Sequence, residues 1–418
     1  MSIRAVFHTM TRRRLLGAVL ACLFVVGLVA AFVRVRFYGH YEGIYLLKDD
    51  RPGIVIADDV ILGQESEVLA ALPFERLLEV FANERDKAIN SESLDYEWFS
   101  HDGSGFVRSY FADGTVMLTC LSRFVDSGGG ETRGIFVGGG LPFSLRSEGD
   151  GSLNETGISF YDTSRWQHLW CNVNESISPG DNPGLIIAPS TWQFLGSRAF
   201  KALPGQLALQ SSHRVVLDGV PLRLDRFAFF KAGRHYFTLV IRIVNEGARP
   251  AGYFYVYGDE PWVGNYGTSA GNVGWLADRL VHYEQSVDPE RYGWGGYFDY
   301  GNAAAGESPG SGSGTANFIE WQQGVRPNLV YFSNRIGAFA EERARVPLAD
   351  PANRVIFLQW GPRYLYPGQS DTLVLVIGMA DHDPVSGLPV KPATTFDPRD
   401  YAPVIPEGFI SAASPSRQ

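Results

Sequence analysis

Lysine is scarce in this chain. It occupies only positions 48, 87, 201, 231 and 391 of 418, and arginine supplies the other basic side chains. That bias points to a GC-rich bacterial genome, so Asn154-Glu155-Thr156 and Asn174-Glu175-Ser176 carry no weight as glycosylation acceptors. Positive charge as a whole is short, with 36 basic against 45 acidic residues and a net charge of −9. A nucleic-acid partner is excluded on that balance, because neutralising phosphates takes a basic face. Cysteine is rarer still, at three residues, and none belongs to a C-x-x-C pair. Thiolate metal sites and dithiol redox chemistry are thereby disfavoured. There is no H-E-x-x-H segment and no EF-hand loop, and Asp381-His382-Asp383 has no spaced partners, so neither a metal nor a cofactor is expected.

One long apolar run is present. Leu15 to Val33 is 19 residues without a charge, enough at roughly 1.5 Å per residue to cross the ~30 Å core of a bilayer. Arg4, Arg12, Arg13 and Arg14 precede it, whereas Arg34 and Arg36 after it are soon met by Asp49 and Asp50. The positive-inside rule then keeps the N-terminus cytoplasmic and exports the rest. Thr11 to Leu16 resembles a twin-arginine export motif, Val29-Ala30-Ala31 is a poor cleavage site, and Val19 to Cys22 faintly resembles a lipoprotein box. Arginines on both sides of an uninterrupted span favour an uncleaved anchor over a cleaved signal or a lipoprotein. The expectation is a single-pass protein of the inner membrane whose bulk is periplasmic or extracellular.

Four segments follow from the texture of the chain: a cytoplasmic stub and anchor (1–36), a linker with a helical stretch (37–93), an exported β-sandwich (94–410) and a disordered tail (411–418). The helical stretch is Gln64 to Ile89, where Val68, Leu69, Leu72, Leu77, Leu78 and Phe81 recur at helical spacing around Pro73. From Leu94 onward, short runs rich in Val, Ile, Phe and Tyr alternate with Gly, Asp, Asn and Pro turns. Helical patterns between strands are lacking, which excludes a doubly wound α/β fold and predicts an all-β sandwich or barrel. Phe237 to Val244 is largely apolar on both alternating faces, as in a covered central strand. The Gly- and Ser-rich stretch Gly306 to Asn317 reads as a flexible loop, and the Pro-rich segment after Asp381 as an extended strap. Cys120 and Cys171 are expected to form a disulfide, with two buried thiols as the alternative.

The stretch Tyr253 to Arg279 concentrates candidate chemistry. Gly267-Thr268-Ser269-Ala270-Gly271 fits the G-x-S-x-G pattern of serine hydrolases, but the preceding strand ends too early for a nucleophile elbow. Asp259 and Glu260 are neighbours that point to opposite sides of an extended backbone. Either needs a distant partner for acid–base work, and Asp299 is the candidate. Trp262, Tyr266, Trp275, Trp294 and Tyr297 supply amphipathic rings of the kind that stack on sugar C–H faces.

The segments FTLVIRIVNEGARPAGYFYVYGDEPW and RYLYPGQSDTLVLVIGMA resemble the galactose-mutarotase-type β-supersandwich. The resemblance rests on Asn245-Glu246-Gly247, the strand Tyr253 to Trp262, and Leu365 to Ser370, and spans Gly205 to Met379. It implies a sugar-handling scaffold. Epimerases of this type carry a histidine after the second strand, where this chain has Gly258-Asp259-Glu260, so no catalytic residue is implied.

The expected function is therefore carbohydrate binding by an anchored envelope protein, with a glycan ligand at the residues just named. The alternatives are an assembly protein with an envelope protein partner and a polysaccharide hydrolase or lyase. An alkaline carbonate wash of membranes should leave the protein in the pellet. Release into the supernatant would remove the anchor.

Overall fold

A computed structural model describes residues 53–55, 93–99, 104–112, 116–122, 137–139, 157–161, 166–170, 172–187, 191–201, 205–261, 263–264, 271–301, 308–334, 346–348, 354–383 and 385–396. The chain divides into Met1–Asp49, none of which is described, and Asp50–Gln418, to which all that follows refers. The span Leu15–Val33, the helical stretch Gln64–Ile89 and the tail 411–418 lie outside the described residues. So do Cys171 and the Cys120 side chain, and with them the expected bridge.

The described secondary structure is all β. In chain order the strands are β1 (Gly53–Val55), β2 (Ser93–Phe99), β3 (Ser104–Tyr110), β4 (Val116–Ser122), β5 (Val137–Gly139), β6 (Gly157–Tyr161), β7 (Trp166–Trp170) and β8 (Asn172–Pro179). There follow β9 (Gln193–Lys201), β10 (Gln206–Leu217), β11 (Val220–Lys231), β12 (Tyr236–Asn245), β13 (Ala251–Glu260), β14 (Asn272–Leu276), β15 (Arg279–Val281) and β16 (Gln285–Val287). The last are β17 (Trp294–Asp299), β18 (Asn317–Glu320), β19 (Leu329–Ser333), β20 (Val355–Leu365), β21 (Ser370–Met379), β22 (Asp381–His382) and β23 (Pro389–Val390). Ten form one sheet, in the order β1-β9-β10-β11-β12-β21-β18-β17-β14-β15. A five-stranded sheet, β16-β19-β20-β13-β8, shares its core, and β2, β3, β4, β6 and β7 make a further sheet with β5 on β4.

The period of two along a strand decides which side chains meet. In β11, Leu222, Leu224, Arg226, Ala228 and Phe230 face one way, and Arg223, Asp225, Phe227 and Phe229 the other. Register carries the first set across the sheet to Leu239, Ile241 and Ile243 of β12 and Leu373, Leu375 and Ile377 of β21. These belong to one buried cluster with Tyr253, Tyr255 and Tyr257 of β13 and Ile356, Leu358 and Trp360 of β20. The ten- and five-stranded sheets are thus faces of a sandwich. Each fully buried aliphatic or aromatic side chain contributes roughly 1.5–3 kcal/mol. The third sheet joins the same cluster through Trp98, Val107, Met117 and Leu121.

Buried polar groups tie the two main sheets. Arg226, fully buried on β11, forks onto Glu175 of β8 through Nε (3.0 Å to Oε1) and Nη2. Tyr255 donates to the same carboxylate at 2.6 Å, and the Arg226 guanidinium lies 4.7 Å from the Trp192 ring centre. The second tie is Asp371 of β21, which accepts from Tyr253 Oη at 2.6 Å and from Arg363 Nε and Nη2 at 2.6 and 2.7 Å. Burial, and then the Asp371 charge, push the Tyr253 hydroxyl far above its ordinary pKa, so it remains a donor.

Asn245 welds together the two segments that carry the mutarotase-like resemblance. Its amide donates to Arg249 O and Leu365 O, both at 2.8 Å, and its Oδ1 accepts from Gly247 N. Its backbone meets the Pro367-Gly368 turn through Gln369 O and Gly368 N. Among the described residues, Gly184 to Ile187 make an isolated bridge, Ile187 with Ile177. Asn272 to Val281 is the β14–β15 hairpin, so no helix follows Gly271 as a nucleophile elbow requires. The described part of the Gly306–Asn317 stretch is hydrogen-bonded to β17 and runs straight into β18.

Glu175→Gln should leave the Arg226 charge buried without its counterion and cost about 3–5 kcal/mol, whereas Glu175→Leu with Arg226→Met should cost less than either single change. Urea unfolding followed by tryptophan fluorescence measures both. An unshifted midpoint for Glu175→Gln would mean that the pair does not hold the sheets.

Candidate functional site

The residues expected to form the site fall into three groups. Trp262, Tyr266 and residues 267–270 lie outside the described residues. Asp259 and Glu260 end β13, Asp259 paired through its backbone with Ile356 on one side and Val173 on the other, and Glu260 with Asn172; their side chains are not described. Asp299 ends β17, in the other main sheet, and its Oδ2 accepts from Ser313 N at 2.9 Å and Ser313 Oγ at 2.6 Å. Gly264 (φ +92°) lies so close that a Cβ there would sit 2.5 Å from that oxygen. The Asp299 carboxylate thus holds the turn that leads into β18.

The expected stacking rings that are described are mostly interior. Trp275 is 3% exposed and donates to Asn317 O at 2.9 Å. Tyr297 is fully buried and donates to Val355 O at 3.1 Å, a further link between the sheets. Trp294 is half-buried, its ring 4.6 Å from that of Trp275.

A concave site does exist, on the outer face of the ten-stranded sheet. It is a cavity of about 440 Å³ lined by Leu195, Gly196, Ser197 and Arg198 of β9, Gln210 and Ser212 of β10, Arg223, Asp225 and Phe227 of β11, and Arg242 of β12. The volume lies within the range of small-molecule sites. Register explains the gathering. Gln210 stands between Arg198 and Phe227, and Asp225 between Ser212 and Arg242, so the side chains form two adjacent cross-strand rows. On the β9 side the pairing shifts between Ser212 and His213, where Gly196 (φ +144°) opposes Ser212 and Leu195 is the extra residue. This bulge turns Leu195 outward onto the rim.

The floor is pre-organised. Gln210 Nε2 donates to Ser212 Oγ (3.1 Å), Ser212 Oγ to Asp225 Oδ1 (2.7 Å), and Arg223 Nε to Asp225 Oδ2 (3.0 Å). Arg223 also reaches Glu246 at 2.7 Å, which holds Arg214 through its other oxygen. Burial works against the Arg223 charge, but Asp225 and Glu246 outweigh it and raise its pKa, so the guanidinium is permanently charged. Arg242 makes only a 3.4 Å contact, from Nε to Ser370 Oγ. Among the described residues neither Arg198 nor Arg242 has an acidic partner.

The same face turns apolar away from this cavity. Phe227 stacks on Phe229 (5.9 Å between centres), and Phe396 of the C-terminal segment covers Phe229 at 5.0 Å. That segment is the strap expected from its prolines. Lys391 pairs with Glu320 at 2.7 Å, Thr394 also donates to Glu320, and Arg234 holds Thr395 O at 2.6 Å.

The sequence reading missed this cavity, because its side chains come from four strands whose register is invisible in one dimension. A signal was present in Arg223, Asp225 and Arg242, charged residues inside runs rich in Leu, Phe, Ile and Val.

No family model and no curated protein matches the chain. Among solved structures, a putative aldose 1-epimerase from Klebsiella pneumoniae is similar at 10% identity, over 70% of this chain and 84% of that one, with a TM-score of 0.39. A galactose mutarotase-like protein from Clostridium acetobutylicum matches at 9% identity over 69% of this chain and 99% of its own, with a TM-score of 0.37. An aldose epimerase homologue from C. elegans matches at 11% over 69% and 100%, with a TM-score of 0.34. The resemblance is weak. At such scores it carries no argument about the site.

The strap predicts an acid-sensitive contact. Burial alone would push the Glu320 carboxyl up, but bonds from Lys391, Thr394, Gln322 and Gln323 hold it below the ordinary carboxylate range. A depressed folded-state pKa contributes stability that is full above about pH 4.3, the unfolded value, and is lost as pH falls through the folded one. Urea midpoints between pH 7 and 3 should fall less steeply for Glu320→Gln than for the native chain. Parallel curves would remove Glu320 from the acid transition.

Proposed function

We propose that this chain is a membrane-anchored, extracytoplasmic carbohydrate-binding β-sandwich protein of the bacterial envelope, and that its site is the cavity on the outer face of the ten-stranded sheet. The observation that carries the reading is the lining of that cavity. Gln210, Ser212, Asp225 and the arginines offer donors and acceptors from adjacent strands, as hydroxyl-rich ligands with many directional hydrogen bonds require. Phe227 supplies an apolar edge among them. The anchor and the envelope location rest on Leu15–Val33 and its flanking arginines.

Binding is favoured over hydrolysis. A glycosidase needs two carboxylates flanking the bond, one held as an acid. Asp225 is the sole carboxylate among the described lining residues, and both its oxygens are engaged.

Isothermal titration of the detergent-solubilised protein against a glycan panel tests the proposal. A saturable ligand should appear, and Asp225→Asn and Gln210→Ala should each weaken it by about tenfold, ~1.4 kcal/mol, with unchanged far-ultraviolet circular dichroism. Binding that ignores both changes but fails in Trp294→Ala would move the site to the tryptophan region. No binding to any glycan would sink the reading and leave a protein partner as the alternative.

A further inference from the structure

We infer that the outer-face cavity recognises an acidic saccharide, with Arg198 and Arg242 taking the carboxylates of its sugar units. The inference deepens the carbohydrate-binding reading and rests on it. Charge is the first argument. Three guanidinium groups and one carboxylate line the cavity, in a chain whose net charge is −9. A local positive excess on so acidic a molecule requires a reason.

The hydrogen bonds separate the cations into two kinds. Arg223 is neutralised inside the protein, held between Asp225 at 3.0 Å and Glu246 at 2.7 Å. It belongs to the floor. Arg198 and Arg242 have no acidic partner among the described residues, although Asp225 stands directly opposite Arg242 in the ladder. Asp225 is held by Ser212 through one oxygen and by Arg223 through the other, and the Arg242 fork makes only the 3.4 Å contact to Ser370. A half-buried guanidinium with so little engaged is a bidentate carboxylate site in waiting.

Position supplies the second argument. Arg198 is on β9 and Arg242 on β12, with β10 and β11 between them. Three strand steps of about 4.8 Å set their backbones roughly 14 Å apart, in rows offset by two residues. Arg198 is exposed and Arg242 half-buried, and both line the cavity with Gln210, Ser212 and Asp225. Two cations at either side of a neutral hydrogen-bonding floor match a short chain of hydroxyl-bearing rings with a carboxylate on successive units. They do not match one compact anion, which would draw both forks to a point.

The test is titration calorimetry of the full chain in detergent at low salt, with tri-galacturonate, its methyl ester, maltotriose and citrate as probes. Tri-galacturonate should bind at least about tenfold tighter than its ester, and the advantage should shrink as salt rises. Arg198→Gln and Arg242→Gln should each remove most of that advantage, with a clearly smaller loss of affinity for the ester than for the acid. Arg242→Lys should recover part of it, since charge returns without the fork, and it serves if the glutamine variant unfolds. Equal binding of acid and ester, or arginine variants without effect, would overturn the inference while the broader glycan reading stands. Citrate binding as tightly as tri-galacturonate would overturn it in favour of a simple anion site. Failure of every saccharide, maltotriose included, would overturn the reading beneath it as well.

Discussion

The buried pair of Arg226 and Glu175 is the constraint on which the arrangement of the molecule turns. A guanidinium fully removed from water is tolerable only if its charge and its N–H groups are answered. Here Glu175, the Trp192 ring and His213 surround it. The partner carboxylate comes from the opposite sheet, so the two layers dock with β11 and β8 in one relative position. Tyr255 completes the carboxylate, and Asp371 repeats the device further along with Tyr253 and Arg363.

That interior contact also determines the exterior. Arg226 sits between Asp225 and Phe227 in β11, and alternation sends those two to the other face. A slip of one residue would bring Asp225 and Phe227 into the core and expel Arg226 into the cavity. Locking Arg226 inward therefore aims the cavity's acid and its ring outward. The bulge at Leu195 and Gly196 then shapes the rim on the β9 side. Beyond Phe229 the face is closed by the strap, whose anchoring carboxylate, Glu320, faces outward from β18. One sheet surface is thus divided between a polar part that forms the cavity and an apolar part covered by the strap.

Much of the fold was legible because it is written in local patterns. The runs HRVVLDG, LRLDRFAFF, HYFTLVIRIVNEG and DTLVLVIGMA became β10, β11, β12 and β21, since β-branched and aromatic alternation between turn residues has few other solutions. The two segments carrying the mutarotase-like resemblance lie side by side through Asn245. The candidate site was less legible. Aromatic side chains serve a core and a sugar equally well, and Tyr253, Tyr255, Tyr257, Trp275 and Tyr297 all serve the core. Asp299, a polar residue beside glycines, holds a turn.

The sequence by itself determined the strand-built class, the apolar interior of the central strands and the extended proline-rich strap, because each depends on residues adjacent in the chain. Only the tertiary structure decided which of two faces each strand turns inward, that Arg226 is interior while Arg223 and Arg242 line a cavity, and that Arg198 joins them from β9. Alternation in one dimension is symmetric between faces. The symmetry is broken by cross-sheet partners such as Glu175, 51 residues distant from Arg226 along the chain.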